Sequence, residues 1–492
     1  MKKITLVLLL VLSLLLFVAC KPDREGEEDF WDKNGNGIPD WQEEEITLTY
    51  ASWQHTNLDA VTLESLMIDA FMEKYPNITV EMISIGEDWE WEQKLLERVE
   101  AHTPENPTFP DVQLIRRLET LLPQNLLADI SDMYDNDPDT TYIFENLKNS
   151  GVYGDGRYAL PTYIYPQFWI VNLDLLEAQG ISVPNYDWSW EQMEAIAKTV
   201  NNETTHVIGL YGIQDVYNYE SGATAYMMEL PKVIKRKTDA ESAKTWGAMG
   251  FDGNQFNFLD DAYLQAMNKL HTALEEGWCK LGLDNETKAS YYGDEDFQPT
   301  KQGKVAIWRQ ESWAFKNYMK TLEYEWDIYP GPGGVTGGNT DIIGVSSLCQ
   351  HKEAAYQLAK WMSYSKEGIL KRFELFSQSG NEVFQQGNNY PYPVADYGVN
   401  AEGVNEIWTA IPYGSTAPGL VSVEFLEGLR NGAFLFNKEV VGFDAAKYAA
   451  DQYLKKITSG ESTFAALREA IQNDAMAQMQ EMRDAVDELL GR

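Results

Sequence analysis

Phe71-Met72-Glu73-Lys74-Tyr75-Pro76-Asn77-Ile78-Thr79-Val80 reads as the end of a helix, a stop and the start of a strand. Upstream, residues 58–75 carry apolar side chains at helical spacing, among them Val61, Leu66, Ile68 and Phe71. Pro76 cannot continue that helix. Downstream, Ile78-Thr79-Val80-Glu81-Met82-Ile83 alternates as a half-buried strand does. The same grammar extends both ways. Ile46-Thr47-Leu48-Thr49-Tyr50 reads as an earlier strand, residues 91–101 as another helix, and Asp111-Val112-Gln113-Leu114-Ile115 as a third strand. Alternation of this kind predicts an α/β fold with a mostly parallel sheet and helices on both faces. In such sheets ligands sit beyond the carboxyl ends of the strands.

The chain opens differently. Lys2 and Lys3 precede an apolar run, residues 4–18, which is too short to span a bilayer comfortably. It has the proportions of a secretory signal core. Phe17-Val18-Ala19-Cys20 follows and resembles a bacterial lipobox, with Phe where Leu is usual. The resemblance implies cleavage before Cys20 and its diacylation, and two acyl chains suffice for stable anchoring. Residues 21–29 are charged, lack apolar periodicity and read as a spacer.

Beyond the spacer lies Asp32-Lys33-Asn34-Gly35-Asn36-Gly37-Ile38-Pro39-Asp40-Trp41-Gln42-Glu43. Asp32, Asn34, Asn36, Asp40 and Glu43 fall at positions 1, 3, 5, 9 and 12 of an EF-hand-type calcium loop. Gly37 takes the turn position, and Ile38 the position that offers its backbone carbonyl. Such oxygen ligands suit Ca²⁺, and the segment looks like isolated calcium loops of bacterial surface proteins. A hydrophilic linker with Asn-Gly turns is the alternative. No organic cofactor is expected.

The net charge of −37 argues against nucleic-acid binding, which needs clustered Lys and Arg. It also keeps the body off an anionic membrane surface. Cys279 and Cys349 could pair or remain buried thiols. No GxSxG, HExxH or P-loop is present, and the five histidines show no metal-ligand spacing.

Further landmarks follow in order: Pro110-Asp111-Val112, Leu127-Ala128-Asp129-Ile130, Gly156-Arg157-Tyr158-Ala159-Leu160-Pro161 and Val171-Asn172-Leu173-Asp174. Trp188-Ser189-Trp190-Glu191, Gly303-Lys304-Val305-Ala306-Ile307 with Trp313, and residues 354–362 with Lys366-Glu367-Gly368 complete the series. Together with residues 71–80 they resemble bacterial extracellular solute-binding proteins of the maltose-binding type. The likeness covers roughly residues 46–368.

That resemblance implies a two-lobed periplasmic-binding-protein-like (type II) fold with interleaved lobes and a hinge. Residues 46–158 and 331–379 would form the first lobe, 159–330 and 380–492 the second, behind a signal peptide (1–19) and spacer (20–45). It implies no enzymatic activity, a monomer, and a partnership with ABC permease subunits in the membrane. The place of action would be the outer face of the cytoplasmic membrane, held there by the lipid anchor.

A sugar has a hydroxyl rim that needs hydrogen-bond partners and C–H faces that pack on aromatic rings. The abundance of Trp and Tyr, 15 and 27, favours a carbohydrate ligand. Residues following the strands combine both features. They are Trp53 and Gln54 with His55; Trp89 with Trp91; Arg116 with Arg117; Tyr163 and Tyr165 with Gln167; and Trp308 with Arg309, Glu311 and Trp313. Tyr413 is a further candidate, and Trp313 matches the family position that stacks on sugar. Trp89 and Trp91 could instead anchor the following helix on the core, and Trp246 and Trp278 read as packing. Open alternatives are a peptide or polyamine ligand, a sensing role, an adhesive module and an anchored glycoside hydrolase.

Overall fold

A computed structural model describes residues 30–103, 108–212, 224–312, 322–378, 391–398, 405–410, 418–432 and 440–491. Cys20, Trp313 and Tyr413 lie outside them. Two compact units emerge, residues 1–45 and residues 46–492. In the first, the described part is a turn-rich loop ending in the single 3-10 turn Asp40–Gln42.

The second unit holds eleven described strands: β1 Ile46–Ala51, β2 Ile78–Met82, β3 Val112–Ile115, β4 Val152–Tyr153, β5 Gly156–Arg157, β6 Leu160–Asn172, β7 Ile208–Tyr211, β8 Cys279–Lys280, β9 Val305–Glu311, β10 Trp326–Tyr329 and β11 Gly338–Val345. The helices used below are α1 Leu63–Lys74, α2 Trp91–Glu100, α3 Trp190–Val200, α4 Leu230–Thr238, α5 Asp261–Glu275, α6 Lys352–Trp361, α7 Lys366–Ser377, α8 Val423–Arg430, α9 Phe443–Thr458 and α10 Phe464–Leu490.

The quoted stretch forms as read. α1 buries Met67, Ile68 and Phe71, ends at Tyr75 ahead of Pro76, and delivers the chain into β2. Its start differs from the expectation. Asn57 caps a turn through residue 60, so the helix begins only at Leu63. Thr62 and Ser65 form a reciprocal capping box there, which satisfies two orphaned backbone N–H groups. Val61 consequently lies outside the helix and is 70 % exposed.

β1 pairs in parallel with β2 and β3, as the βαβ reading requires. The sheet as a whole is mixed rather than mostly parallel. Its order among the described residues is β2-β1-β3-β11-β6-β9-β7-β8, with β10 also on β6. β11 runs antiparallel to β3 and β6, and β6 antiparallel to β9 and β10. The cause is β6. This strand is buried along its whole length, and at about 3.3 Å per residue it spans roughly 40 Å. Residues 160–166 pair with β11, and residues 167–172 with β9 and β10. One strand thus belongs to two lobes.

The chain returns through residues 330–337, which join β10 to β11. Gly331 is required there, because a Cβ would lie 1.7 Å from the Val335 carbonyl oxygen. The two crossings are bonded, with the Gln167 N–H donating to Gly337 O at 2.7 Å. α10 touches both lobes. Gln472 bonds to Phe256 O and the Phe258 N–H, while the Tyr153 hydroxyl donates to Arg483 O and Asp487. Val486 joins the first-lobe core with Trp91, Leu95, Leu118 and Tyr158.

Candidate ligand-binding site

The carboxyl ends of β1, β3 and β9, the middle of β6 and the start of β11 converge where the lobes meet. β1 leads into Ser52, whose hydroxyl donates to Glu64 at 2.7 Å and accepts the Gln54 N–H at 3.0 Å. Glu64, at the start of α1, is 1 % exposed and also accepts the hydroxyls of Tyr50 and Tyr163. Three hydroxyl donors stabilise this buried carboxylate. Two residues along β6, Tyr165 lies on the same face as Tyr163, and the two rings stack with centroids 6.4 Å apart. The Tyr165 hydroxyl donates to Asp341 at 3.1 Å and accepts from Gln54 Nε2 at 3.0 Å. The Arg372 guanidinium lies over the Tyr163 ring at 4.6 Å. Burial, reinforced by Glu64 for Tyr163 and by Asp341 for Tyr165, holds both phenols well above the ordinary range. Both are therefore neutral donors.

The second half of the crossing is polar too. Gln167 Nε2 and Asn339 Nδ2 both donate to Glu311 Oε1, at 3.1 and 2.6 Å. Behind them, Arg309 and Glu229 form a fully buried ion pair. The Gly337 N–H also donates to Glu229, at 3.1 Å. Burial pushes the Glu229 carboxyl up, and Arg309 opposes that shift.

The remaining expected residues fall variously. Trp53 is half-buried and meets Trp91 edge-on, with centroids 5.1 Å apart. Trp91 is fully buried and donates its indole N–H to Leu114 O at 2.9 Å, which makes it the anchor of α2 on the core. Trp89, two residues earlier, is 71 % exposed on a 3-10 turn. Arg116 is half-buried, and Arg117 reaches Asp444 at 3.8 Å. His55 is buried beside Thr62, and burial lowers its pKa.

Trp308 differs from the expectation of a sugar platform. It lies within β9 between Ile170 and Tyr211 and is 3 % exposed, so its ring has no open face in this conformation. Tyr163 and Tyr165 are buried as well, at 7 % each, and they meet their surroundings through their hydroxyls. Trp246 and Trp278 are buried. Cys279 and Cys349 are separate buried thiols; burial pushes Cys279 up to about 12 and raises Cys349 further.

Reading the sequence missed Glu64, Glu229, Asn339 and Asp341. With 76 acidic residues in the chain, no local signal separates a buried carboxylate from the solvated ones. β11 is the exception, since three consecutive polar residues, Asn339-Thr340-Asp341, at the head of a strand that continues Ile342-Ile343 would have drawn attention to Asn339 and Asp341.

Residues 66–380 match the profile of the family described as bacterial extracellular solute-binding protein. The chain belongs to that family. It is a binding protein by descent, and the family is not one of enzymes. Solved structures of similar fold include the sugar-binding protein MalE from Xanthomonas citri. It is 13 % identical with a TM-score of 0.62, over 90 % of this chain and 99 % of that one. The cyclic alpha-maltosyl-1,6-maltose binding protein from Arthrobacter globiformis is 15 % identical with a TM-score of 0.61, over 88 % and 99 % of the two chains. An ABC substrate-binding protein from Listeria monocytogenes, solved with cycloalternan, is 18 % identical with a TM-score of 0.55, over 91 % and 100 %. At these identities the likeness is one of fold: two α/β lobes joined by crossing segments. Among the described residues, no helix is long and apolar enough to cross a membrane.

Proposed function

We propose that this solute-binding protein captures a sugar or oligosaccharide between its lobes and delivers it to an ABC permease. The observation that carries the reading is the lining of the crossing. Gln54, Tyr165, Gln167, Asn339, Asp341 and Glu311 bring amides, a neutral phenol and carboxylates to one place. Such a set can donate to and accept from the hydroxyl rim of a sugar, and Trp53 offers an aromatic edge beside it. The three similar folds named above carry sugar ligands in their descriptions, which supports the same class here. The test is a thermal-shift screen of the full chain against mono- and oligosaccharides. A ligand that binds only the folded state raises stability by mass action, about 2.7 kcal/mol at a hundredfold excess over Kd. A flat response to every sugar, with a shift from a peptide or polyamine, overturns the carbohydrate reading.

The anchor belongs to the same proposal. Diacylation of Cys20 would hold a monomeric receptor on the outer face of the cytoplasmic membrane, next to its permease. Substituting Cys20→Ala should move the protein from the membrane fraction to the medium, and unchanged partition would refute lipidation.

The loop from Asp32 to Glu43 is proposed to bind Ca²⁺. Its backbone is folded in the sense such a loop needs, with Gly35 and Gly37 at positive φ. The Asn36 and Gly37 N–H groups donate to Asp32, at 3.1 and 2.7 Å. Glu43 folds back to accept from the amides of Asn34 and Asn36. These amides now turn N–H toward Glu43, and a cation would draw their oxygens instead. Among the described residues no three His, Cys, Asp or Glu side chains form a metal cluster. Asn34, Asn36 and the Ile38 carbonyl would therefore have to complete the shell. Calorimetric titration with calcium tests this, and absence of a heat that Asp32→Ala abolishes would end it.

A further inference from the structure

A cavity of about 880 Å³ lies apart from the strand ends. Its walls come from residues 145–154 of the first lobe, 244–254 of the second, and 480–487 of α10, with Val440 and Val441. None of the residues assembled around Tyr165 and Glu311 lines it. Its size is that of a ligand site, which typically measures about 300–1,000 Å³.

We propose that this cavity is a second saccharide-binding site, which takes a neutral oligosaccharide segment. The proposal rests on the reading of the chain as a saccharide binder and adds a place that the strand-end cleft does not include.

The chemistry of the walls selects the ligand. Asn146, Asn149, Asn254 and Gln480 supply amides that both donate and accept, and Tyr153 supplies aromatic surface. Charges of both signs are present: Glu145, Asp252 and Asp487 against Lys244 and Arg483. Three carboxylates to two cations repel an anionic ligand, and the two cations offset the attraction for a cationic one. A neutral polyhydroxyl compound meets neither penalty, and mixed charged and amide groups can bond its hydroxyls.

Two features mark the walls as more than a surface hollow. Ser150 is 2 % exposed and its hydroxyl has no hydrogen-bond partner among the described residues. Asn146 donates through Nδ2 to Leu429 O and Gly432 O, yet its buried Oδ1 has no partner among the described residues. Buried polar atoms are rarely left unpaired in this way. Secondly, the backbone behind the second-lobe wall is strained: Met249, which does not itself line the cavity, has φ +55° between the lining residues Gly247 and Phe251. A non-glycine residue in the left-handed region is uncommon, and such strain gathers at ligand sites.

Because the walls come from both lobes, a ligand here interacts differently with different lobe arrangements. Occupancy therefore favours the arrangement described, and an effect on cleft affinity follows by linkage.

The experiment is calorimetric titration of the full chain with maltotriose, cellotriose and xylotriose, with soaked crystals to locate the sugar. Asn149 and Asn254 are exposed, so Asn149→Trp with Asn254→Trp fills the cavity from its rim without disturbing the core. An unchanged thermal midpoint checks that the variant is folded. The wild type is expected to bind two equivalents of at least one trisaccharide. The tryptophan pair should weaken one of them at least tenfold, and Gln54→Ala the other. A single equivalent, lost in Gln54→Ala and untouched by the tryptophan pair, refutes the second site and leaves the proposed function standing. A single equivalent lost only in the tryptophan pair keeps the cavity as a site and removes the strand-end cleft from the binding account. No binding of any of the three overturns the second site, and the broader sugar screen then decides whether the proposed function falls with it.

Discussion

Replacing Arg309 by Met should make the stability of the second lobe large in its loss and pH-dependent in its form. Arg309 and Glu229 are 0 and 1 % exposed in their side chains and contact each other directly, so neither has solvent as an alternative partner. Removing one member of such a pair leaves the other charge buried, a loss of about 3–5 kcal/mol. Glu229 would keep one donor, the Gly337 N–H at 3.1 Å, which softens the loss without cancelling it. For a lobe of roughly 285 residues that unfolds as a unit, each kcal/mol lowers Tm by about 2 °C, so the expected drop is roughly 6–10 °C. The pH dependence follows from the proton. Burial already raises the Glu229 carboxyl, and losing Arg309 removes the main opposing charge. The folded state then holds a proton that the unfolded state releases near pH 4.3. Stability of the variant is fullest below that value and falls as pH rises toward the folded pKa. Scanning calorimetry from pH 4 to 8, on wild type, Arg309→Met and the double variant with Glu229→Met, checks this. The double variant removes both charges and should recover most of the loss. A drop below 2 °C in Arg309→Met, or one that is the same at pH 4 and pH 8, would show that the pair contributes little to holding the crossing.

Other outcomes follow from individual groups. Glu119 is pushed up to about 7 chiefly by burial, with Asp444 adding to the shift and Arg117 opposing it. Its folded pKa exceeds the unfolded value, so it favours the fold below about pH 4.3 and loses that contribution as pH rises to 7. Glu119→Gln should therefore raise Tm at pH 8 relative to wild type and change little at pH 4; the reverse pattern refutes the assignment. Tyr165→Phe leaves Gln54 Nε2 and Asp341 without the hydroxyl that joins them, and should cost about 1–3 kcal/mol in denaturant unfolding. A neutral result would mean that this bridge does not order the crossing. Cys279 and Cys349, both 2 % exposed, should resist Ellman's reagent until the chain unfolds, and reductant should leave Tm unchanged. Gly209→Ala would set a Cβ 2.0 Å from Ala197 O, pushing α3 off β7, and should lower Tm clearly; an unchanged Tm would show that α3 gives way freely.

Legibility in the sequence tracks how local each cause is. Helix α1 was readable because its period, its stop at Pro76 and the alternation of β2 all lie within a few residues. Its first turn was misread because the apolar residue Val61 fits the helical period, whereas the start is set by the Thr62–Ser65 capping box. β1 and β2 alternate because one face is covered, and alternation is visible in a single chain. β6 is buried on both faces at every position, so it offers no period and no clue to its length or its two sets of partners. The antiparallel pairs follow from β6 and the return through residues 330–337, and strand direction across so long a separation leaves no local trace.

The same reasoning explains the site. Gln54 was recognisable as a residue type after a strand and Tyr163 as a type, although Tyr163 lies within β6 and not after a strand, yet their roles depend on what faces them. Glu64 comes from the start of α1, Asp341 and Asn339 from β11, and Glu311 from β9, and only the crossing brings these distant stretches together. Trp308 carries the converse lesson. Its residue type suits a sugar platform, but its neighbours Ile170 and Tyr211 in the sheet leave it walled in. An aromatic ring binds a sugar only if one face stays open, and that depends on strand partners that its own neighbours in sequence do not reveal.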